Sequence, residues 1–246
     1  ERIKNELSKN SISLSYDVDY FDKQFEDPWH LLSMSYGRQT RYLGRVTARV
    51  NLANRFATNA SQLEMDAYPS LGKKMYAYIN AGYAEGDVFP DYRGGLSVYR
   101  NFPHAFEAEL GIRLLYFSKA TILYVGSIGK YAGNFLFSLR PTFIVTENGS
   151  RFSQSYALIS RYYLHTSFDY LTVTVGYGLS PDDRSKETLL QNPDLKSLRM
   201  QLPIQRLIKG TNILSFSLGM VRGEFIQGSK KIGNDFFAGI AYQKMF

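Results

Sequence analysis

Apolar and polar residues alternate with a period of two through most of this 246-residue chain. Residues 11–20 are the clearest case, because Ile12, Leu14 and Tyr16 share one face while serines and aspartates occupy the other. Successive side chains of a β-strand point to opposite faces, so this pattern predicts strands with one apolar and one polar face. The predicted strands are residues 11–20, 29–37, 42–54, 61–68, 75–84, 92–100, 105–117, 121–128, 135–146, 153–164, 170–177, 195–204, 213–222 and 235–246.

The length and composition of these strands suit a membrane barrel. Most have close to the ~9–11 residues that a tilted strand needs to cross a bilayer. The chain has 19 Tyr and 17 Phe, which favour strands and interfacial girdles. No stretch approaches the ~18 consecutive apolar residues of a membrane helix. The sequence therefore predicts an all-β fold, a single antiparallel transmembrane β-barrel of about 14 strands, with about 12 or 16 as alternatives.

The last predicted strand, residues 235–246, carries a second signal. Phe236, Ile240, Tyr242 and Phe246 share one face, and the chain ends on the last of them. Outer-membrane barrels typically end in such an aromatic strand, which the barrel-assembly machinery reads. We therefore interpret Tyr242 and Phe246 as an assembly signal, and the cell outer membrane as the location. The alternative for this segment alone is an edge strand of a soluble sandwich.

The connections between strands differ in length on the two sides. If the first strand rises from the periplasm, the periplasmic turns are tight and the opposite side carries the longest loops, around residues 21–28, 178–194 and 223–233. This asymmetry predicts that both termini are periplasmic. Residues 1–10 read as a polar periplasmic lead-in and residues 11–246 as one barrel domain. Pro141 and Pro203 lie inside predicted strands, so each predicts a bulge.

The formal net charge of +7 does not point to nucleic acid, because the basic residues are mostly single arginines within strands. The chain has no Cys, which excludes disulfides, thiolate metal sites and cysteine nucleophiles. We expect no cofactor and no metal.

Charged residues fall on the strand face opposite the large apolar ones, which predicts a charged lumen. Arg45 and Arg49 are expected roughly opposite Asp66 and Glu64 in a hairpin about residues 54–60. Arg140, Arg161 and Arg199 have few acids nearby in sequence, so the interior is expected to be acidic on one wall and basic on the other. The lumen is either a pore or a packed polar core, and a narrow or plugged lumen is favoured. The predicted lumen-lining residues are Arg45, Arg49, Glu64, Asp66, Glu107, Glu109, Arg113, Arg140, Arg161 and Arg199.

Long strings of this sequence resemble the YaiO-type outer-membrane β-barrel family. They include DPWHLLSMSYGR at 27–38, EMDAYPSLGKKMYAYINAGYAEGDVFPDYRGG at 64–95 and GSIGKYAGNFLFSLRPTF at 126–143. The resemblance weakens after Arg184 until the terminal strand. It implies an integral outer-membrane barrel of a Gram-negative bacterium, with roles in surface-glycan export or envelope maintenance and no established catalytic residues. Some members carry helical-repeat segments before the barrel.

Three enzymatic or metal-binding interpretations compete with a passive barrel. A lipid-modifying hydrolase would need His30 to act with Ser33 or Ser35, whereas an interfacial His30 beside Trp29 is the favoured alternative. Glu107 and Glu109 are a carboxylate pair for glycoside chemistry, but a salt network with Arg93 and Arg113 is favoured. The loop of Ser180, Pro181, Asp182, Asp183 and Glu187 offers oxygen ligands for Ca²⁺ without a recognised spacing, so a solvated acidic turn is favoured.

These observations favour a passive conduit or docking element for envelope glycans or small anionic solutes. An outer-membrane lipid-modifying hydrolase and a purely structural envelope barrel are the alternatives. The expected partners are outer-membrane lipid and lipopolysaccharide, the barrel-assembly machinery and periplasmic helical-repeat or glycan-export components, with no nucleic acid.

Overall fold

A computed structural model describes residues 9–22, 26–55, 57–86, 88–146, 152–178, 195–225 and 231–246 of the chain. Fifteen antiparallel strands account for most of them. Their bounds are β1 Asn10–Phe21, β2 Trp29–Gln39, β3 Arg45–Arg55, β4 Thr58–Tyr68, β5 Ser70–Gly72, β6 Met75–Glu85, β7 Tyr92–Phe102, β8 Phe106–Tyr116, β9 Ala120–Ala132, β10 Phe135–Thr146, β11 Phe152–Tyr163, β12 Tyr170–Gly178, β13 Leu195–Ile208, β14 Asn212–Phe225 and β15 Lys231–Met245.

The strands form one closed barrel. Consecutive strands pair with each other except β4 and β5, β1 pairs with β15, and β4 pairs with β6. The three-residue strand β5 continues β4 beyond Pro69 and also pairs with β6, so β4 and β5 together fill one position. The barrel therefore has fourteen positions, which confirms the predicted fold class.

Burial alternates along the strands as the sequence pattern predicts. On β8, Leu110 is 76% exposed on the outer face, whereas Glu109 beside it is 1% exposed inside. On β4, Leu63 and Glu64 show the same contrast, at 59% and 6%. Hydrocarbon thus faces the lipid and ionic groups face the interior, which is the arrangement of a membrane barrel.

The first strand begins and the last strand ends at the same rim of the barrel, which we call the terminal rim. The backbone amides of Asn10 and Phe246 each donate to the other's carbonyl at 2.9 Å. The turns at this rim are short, including a 3₁₀ turn at Pro103–Ala105. The other rim, called the distal rim, carries the longer connections and two tight ones, at Ala57 and Ser118, both with positive φ. That the terminal rim faces the periplasm stays a prediction.

The two strand prolines are accommodated without the predicted bulges. The pairs on either side of Pro141, Leu139 with Ile128 and Thr142 with Val125, keep one register. Pro203 likewise sits in a continuous register with Ser217. Proline lacks an amide hydrogen, so each removes ladder pairing toward one neighbour without inserting a residue.

The described residues contain no helix long and apolar enough to cross a membrane. Residues 1–8 of the predicted lead-in, and most of the predicted loop at 178–194, lie outside the described part of the chain. β1 already begins at Asn10.

Candidate functional site

The barrel interior holds a polar cavity of about 650 Å³ that runs inward from the terminal rim. Its walls come mainly from β1, β2 and β3, with further residues from β6 and β15, and they combine hydroxyl and amide side chains with charged ones such as Asp17, Arg49 and Arg93. Serine oxygens line β1 and β2, and the Ser13 and Ser35 hydroxyls are hydrogen-bonded at 2.6 Å. Gln243 lies near the rim, and Leu31 closes the deepest part. The cavity therefore offers hydrogen-bonding groups to a polar solute.

Glu64 is the centre of the first ion-pair cluster of the lumen. Its carboxylate accepts from Arg49 at 2.8 Å and from Arg93 at 2.5 Å. Arg49 also reaches Asp66 at 3.1 Å, so one guanidinium bridges two carboxylates. The cluster is completed by hydrogen bonds from Asn51, Tyr78 and Asn80. Two inward carboxylates of β4 are thus neutralised by one arginine of β3 and one of β7.

Glu109 is the centre of the second cluster, and its side chain is fully buried. Arg140 contacts one carboxylate oxygen at 2.5 Å, and Arg113 lies 3.6 Å from the other. The hydroxyls of Ser97 and Ser127 donate to the same carboxylate at 2.8 and 3.3 Å. Every lone pair of this buried anion therefore has a nearby donor, which is the condition under which a charge is tolerated away from bulk water.

Two other predicted lumen residues contact hydroxyl groups near the terminal rim. Glu107 accepts a hydrogen bond from Tyr76 at 3.4 Å. The guanidinium of Arg45 donates to the Ser11 hydroxyl. Arg45 lines the cavity near the terminal rim, and Glu107 lies near the same rim on β8.

The remaining predicted arginines pack against aromatic rings. Arg161 donates to the Thr172 hydroxyl at 3.1 Å and its guanidinium carbon lies 4.2 Å from the ring centre of Tyr170. Arg199 lies 5.4 Å from the ring centre of Phe237. A guanidinium over a ring face is stabilised by the ring quadrupole, so these two cations have aromatic partners.

The expected separation into an acidic wall and a basic wall does not hold from β3 to β10. Arg140, expected to lack acidic neighbours, forms an ion pair with Glu109, and Arg93 pairs with Glu64 rather than with Glu107 or Glu109. Arg45 stands opposite Tyr68, so its expected pairing with an acid of β4 is also not formed. Acids and bases alternate locally, since the register brings an arginine beside each buried carboxylate.

Apolar side chains fill part of the lumen at the distal rim, which the sequence analysis missed. One cluster joins Leu31, Ala53 and Ala84 with Val88 and Phe89 of the β6–β7 connection. A second cluster consists of Leu115, Phe117, Leu123 and Ile144, all 4% exposed or less. The sequence could have predicted these clusters, because apolar residues occupy inward-facing positions that are polar elsewhere on the same strands. Val88 and Phe89 of this connection thus lie inside the barrel and narrow it.

The candidate hydrolase residues do not converge. His30 faces outward, where its Nδ1 lies 2.7 Å from the Tyr16 hydroxyl. Ser33 and Ser35 line the interior cavity, on the other side of the wall. Trp29 was expected beside His30 in the outer girdle, but it is 5% exposed and its ring packs inside against Arg55.

The candidate Ca²⁺ loop at 180–187 lies outside the described residues, among which no metal-binding group of acids and histidines is found.

Asp169 ties the β11–β12 turn to β13 at the terminal rim. Its carboxylate accepts from the Thr166 hydroxyl at 2.6 Å and from the Leu207 amide at 2.7 Å, and Arg206 lies 3.4 Å away. Burial of this carboxyl acts to raise its pKa, but these donors, with His165, outweigh that effect and hold the pKa below its ordinary value. The ionised form therefore stabilises the folded turn.

We expect Asp169→Asn to lower the free energy of unfolding by about 1.5–3 kcal/mol at neutral pH, the contribution of hydrogen bonds to a charged group. Because the folded pKa is depressed, this contribution is present above the unfolded pKa of about 3.9 and is lost as pH falls through the folded value. Urea unfolding in lipid vesicles, at neutral pH and at a pH below the folded pKa of Asp169, measures this contribution. The control is Asp27→Asn, an exposed carboxylate at the distal rim. An equal deficit for Asp169→Asn at all pH values would contradict the assignment.

Comparison with known proteins identifies the family to which this barrel belongs. A model of the YaiO membrane beta barrel domain matches residues 9–183. The chain belongs to the YaiO family. The match ends beside Arg184, where the sequence resemblance also weakens. No curated protein matches the chain.

Solved structures share the fold of this YaiO barrel at low sequence identity. A bacterial polysaccharide outer membrane secretin has 6% identity and a TM-score of 0.66, with 98% of this chain and 100% of that chain covered. The CymD monoaromatic hydrocarbon channel has 8% identity and a TM-score of 0.63, with 98% and 89% covered. An outer membrane channel from Pseudomonas putida F1 has 11% identity and a TM-score of 0.59, with both chains fully covered. The protein is an outer-membrane β-barrel with a porin-like fold.

Proposed function

We propose that this protein is a passive conduit or docking element for envelope glycans or small anionic solutes at the outer membrane. The observation that carries the proposal is the polar cavity of about 650 Å³, which extends inward from residues at the terminal rim and is lined by hydroxyl, amide and charged side chains. Such a lining exchanges hydrogen bonds with a hydroxyl-rich solute at little cost. The names of two fold relatives, a polysaccharide secretin and a hydrocarbon channel, agree with passage through such barrels.

The charges of the lumen support a modest preference for anions. Glu64 and Glu109 are each surrounded by two arginines, so neither presents a free negative charge. Arg161, by contrast, hydrogen-bonds a hydroxyl and contacts an aromatic ring. A surplus of positive potential in a low-dielectric channel raises the local concentration of anions.

Purified protein reconstituted in a planar lipid bilayer tests the conduit. We expect discrete conductance steps, and a reversal potential in a salt gradient that shows a weak preference for chloride over potassium. Arg161→Gln should reduce that preference, whereas Arg100→Gln, which changes an exposed arginine of the outer face, should leave it unchanged. The absence of conductance from folded protein would overturn the conduit.

A purely structural barrel is the second candidate, and the apolar clusters at the distal rim favour it. Val88 and Phe89 are each 1% exposed inside the barrel. Barrels of about eight strands are filled by side chains and those of about sixteen enclose a channel, so fourteen positions are compatible with either state. The absence of conductance in the bilayer experiment would favour this candidate.

A further inference from the structure

Tyrosines form an arc inside the barrel at the terminal rim. They share the inward parity of the buried polar residues on their strands, and each lies within about three residues of a strand end at this rim. We call Tyr76, Tyr78, Tyr99, Tyr131, Tyr163 and Tyr170 the aromatic arc. Tyrosines in an interfacial girdle face lipid, whereas these face the lumen, so anchoring in the membrane does not account for them.

Four rings of the aromatic arc are held by stacking or by hydrogen bonds. Tyr76 and Tyr99 are stacked, with ring centres 4.6 Å apart and planes 2° from parallel. The Tyr78 hydroxyl donates to Asp66 at 2.9 Å, and the Tyr170 hydroxyl donates to Gln205 at 2.9 Å. Rings that are fixed before a ligand arrives lose little conformational entropy on binding.

Part of the aromatic arc is open to the lumen. Tyr131 is 39% exposed although its side chain points inside the barrel. Tyr163 and Tyr170 are partly exposed and meet edge to face, with ring centres 6.1 Å apart. Ring surface is therefore available for contact with a solute that enters at this rim.

The opposite half of the same mouth is lined by hydroxyl and amide groups. Ser11, Ser13 and Ser35 line the cavity there, with Ser215 and Gln243 beside them. The mouth thus has one aromatic side and one hydrogen-bonding side. A pyranose ring has the complementary character, because its C–H groups form apolar faces while its hydroxyls project around the edge.

We propose that the aromatic arc is a saccharide-binding site, in which sugar rings of a linear glycan stack on Tyr131, Tyr163 and Tyr170 and hydrogen-bond to the serine side of the mouth. Electron-rich ring faces attract the weakly positive C–H groups of a sugar. Arg161, positioned over Tyr170, donates to sugar hydroxyls or carboxylates. This inference deepens the proposed function by naming the residues that bind the glycan.

Isothermal titration of a linear gluco-oligosaccharide into detergent-solubilised protein tests the site without requiring conductance. We expect saturable binding by the wild type, binding about tenfold weaker for Tyr131→Ala, and near wild-type binding for Tyr131→Phe, which keeps the ring. The matched control is Tyr124→Ala, which removes an outward tyrosine from the same strand and should not change binding. Tyr163→Ala provides a second test, and heat modifiability on gels verifies that each variant is folded.

Wild-type protein without saccharide binding, or Tyr131→Ala with wild-type affinity, would overturn the site. In the bilayer, the same oligosaccharide should block the current, whereas polyethylene glycol of equal size should not. Equal block by both would also overturn the site, because size alone would then explain it. Ion conductance without saccharide binding leaves the conduit standing and removes the site. Saccharide binding without conductance supports the site and removes the conduit.

Discussion

Replacement of Glu109 by glutamine should lower the free energy of unfolding of the barrel by about 3 kcal/mol, near the lower bound for breaking a buried ion pair. The Glu109 side chain is fully buried, and it neutralises Arg140 and Arg113 from either side. Glutamine keeps the shape but leaves the two neighbouring guanidinium groups without the anion that they contact. The loss stays near the lower bound because Arg140 retains 39% exposure to the lumen, where solvent screens its charge.

Urea unfolding in lipid vesicles measures this effect, and the single Trp29 provides the fluorescence signal because it is buried inside the barrel. Glu85→Gln is the control, since Glu85 is exposed and accepts a hydrogen bond from Tyr83 on the outer face. We expect the control to change stability by no more than about 0.5 kcal/mol. The double variant with Arg140→Gln should recover part of the loss. Equal destabilisation by Glu85→Gln and Glu109→Gln would contradict the role of the cluster.

The faces of the strands were predictable from sequence because a period of two is a local property. In residues 105–117, each inward charge alternates with an outward apolar residue, and the structure keeps that alternation from Glu107 to Leu114. A slip of one residue would place Glu109 in lipid, so the pattern alone determines the orientation. The fourteen strands follow from the same signal.

The partners of the inward charges were not predictable in the same way. Glu109 and Arg140 are separated by 31 positions and lie two strands apart, so their contact depends on the register of β8, β9 and β10 together. Long arginine side chains reach across strands, which local pairing does not describe. Arg49 was the favourable case, because Glu64 lies directly opposite it on the adjacent strand.

The narrowing of the barrel at the distal rim required information from a connection. Val88, Phe89 and Pro90 form a short apolar run between β6 and β7, where a solvated loop would carry polar residues. The structure places them inside, against inward apolar residues such as Leu31. An apolar run in a connection, together with inward apolar positions on neighbouring strands, indicates such a narrowing. The alternation within single strands does not reveal it.

We expect Phe89→Ser to increase single-channel conductance several-fold, because Phe89 belongs to the apolar cluster that narrows the lumen at the distal rim. An apolar constriction resists the entry of water and ions, and a smaller hydroxyl side chain both widens it and allows it to become wet. The polar cavity beyond Leu31 would then connect with the distal side. Single-channel recording in planar bilayers measures the change.

The control for this prediction is Tyr92→Ser, which removes an outward aromatic residue from the strand that follows the same connection. It leaves the lumen unchanged, so conductance should stay at the wild-type level. If Phe89→Ser also conducts as the wild type does, the path of ions avoids the cluster and the narrowest point lies elsewhere. A rise for Phe89→Ser alone would instead show that the folded-in connection sets the resistance of the barrel, since the cavity at the terminal rim is the same in both variants.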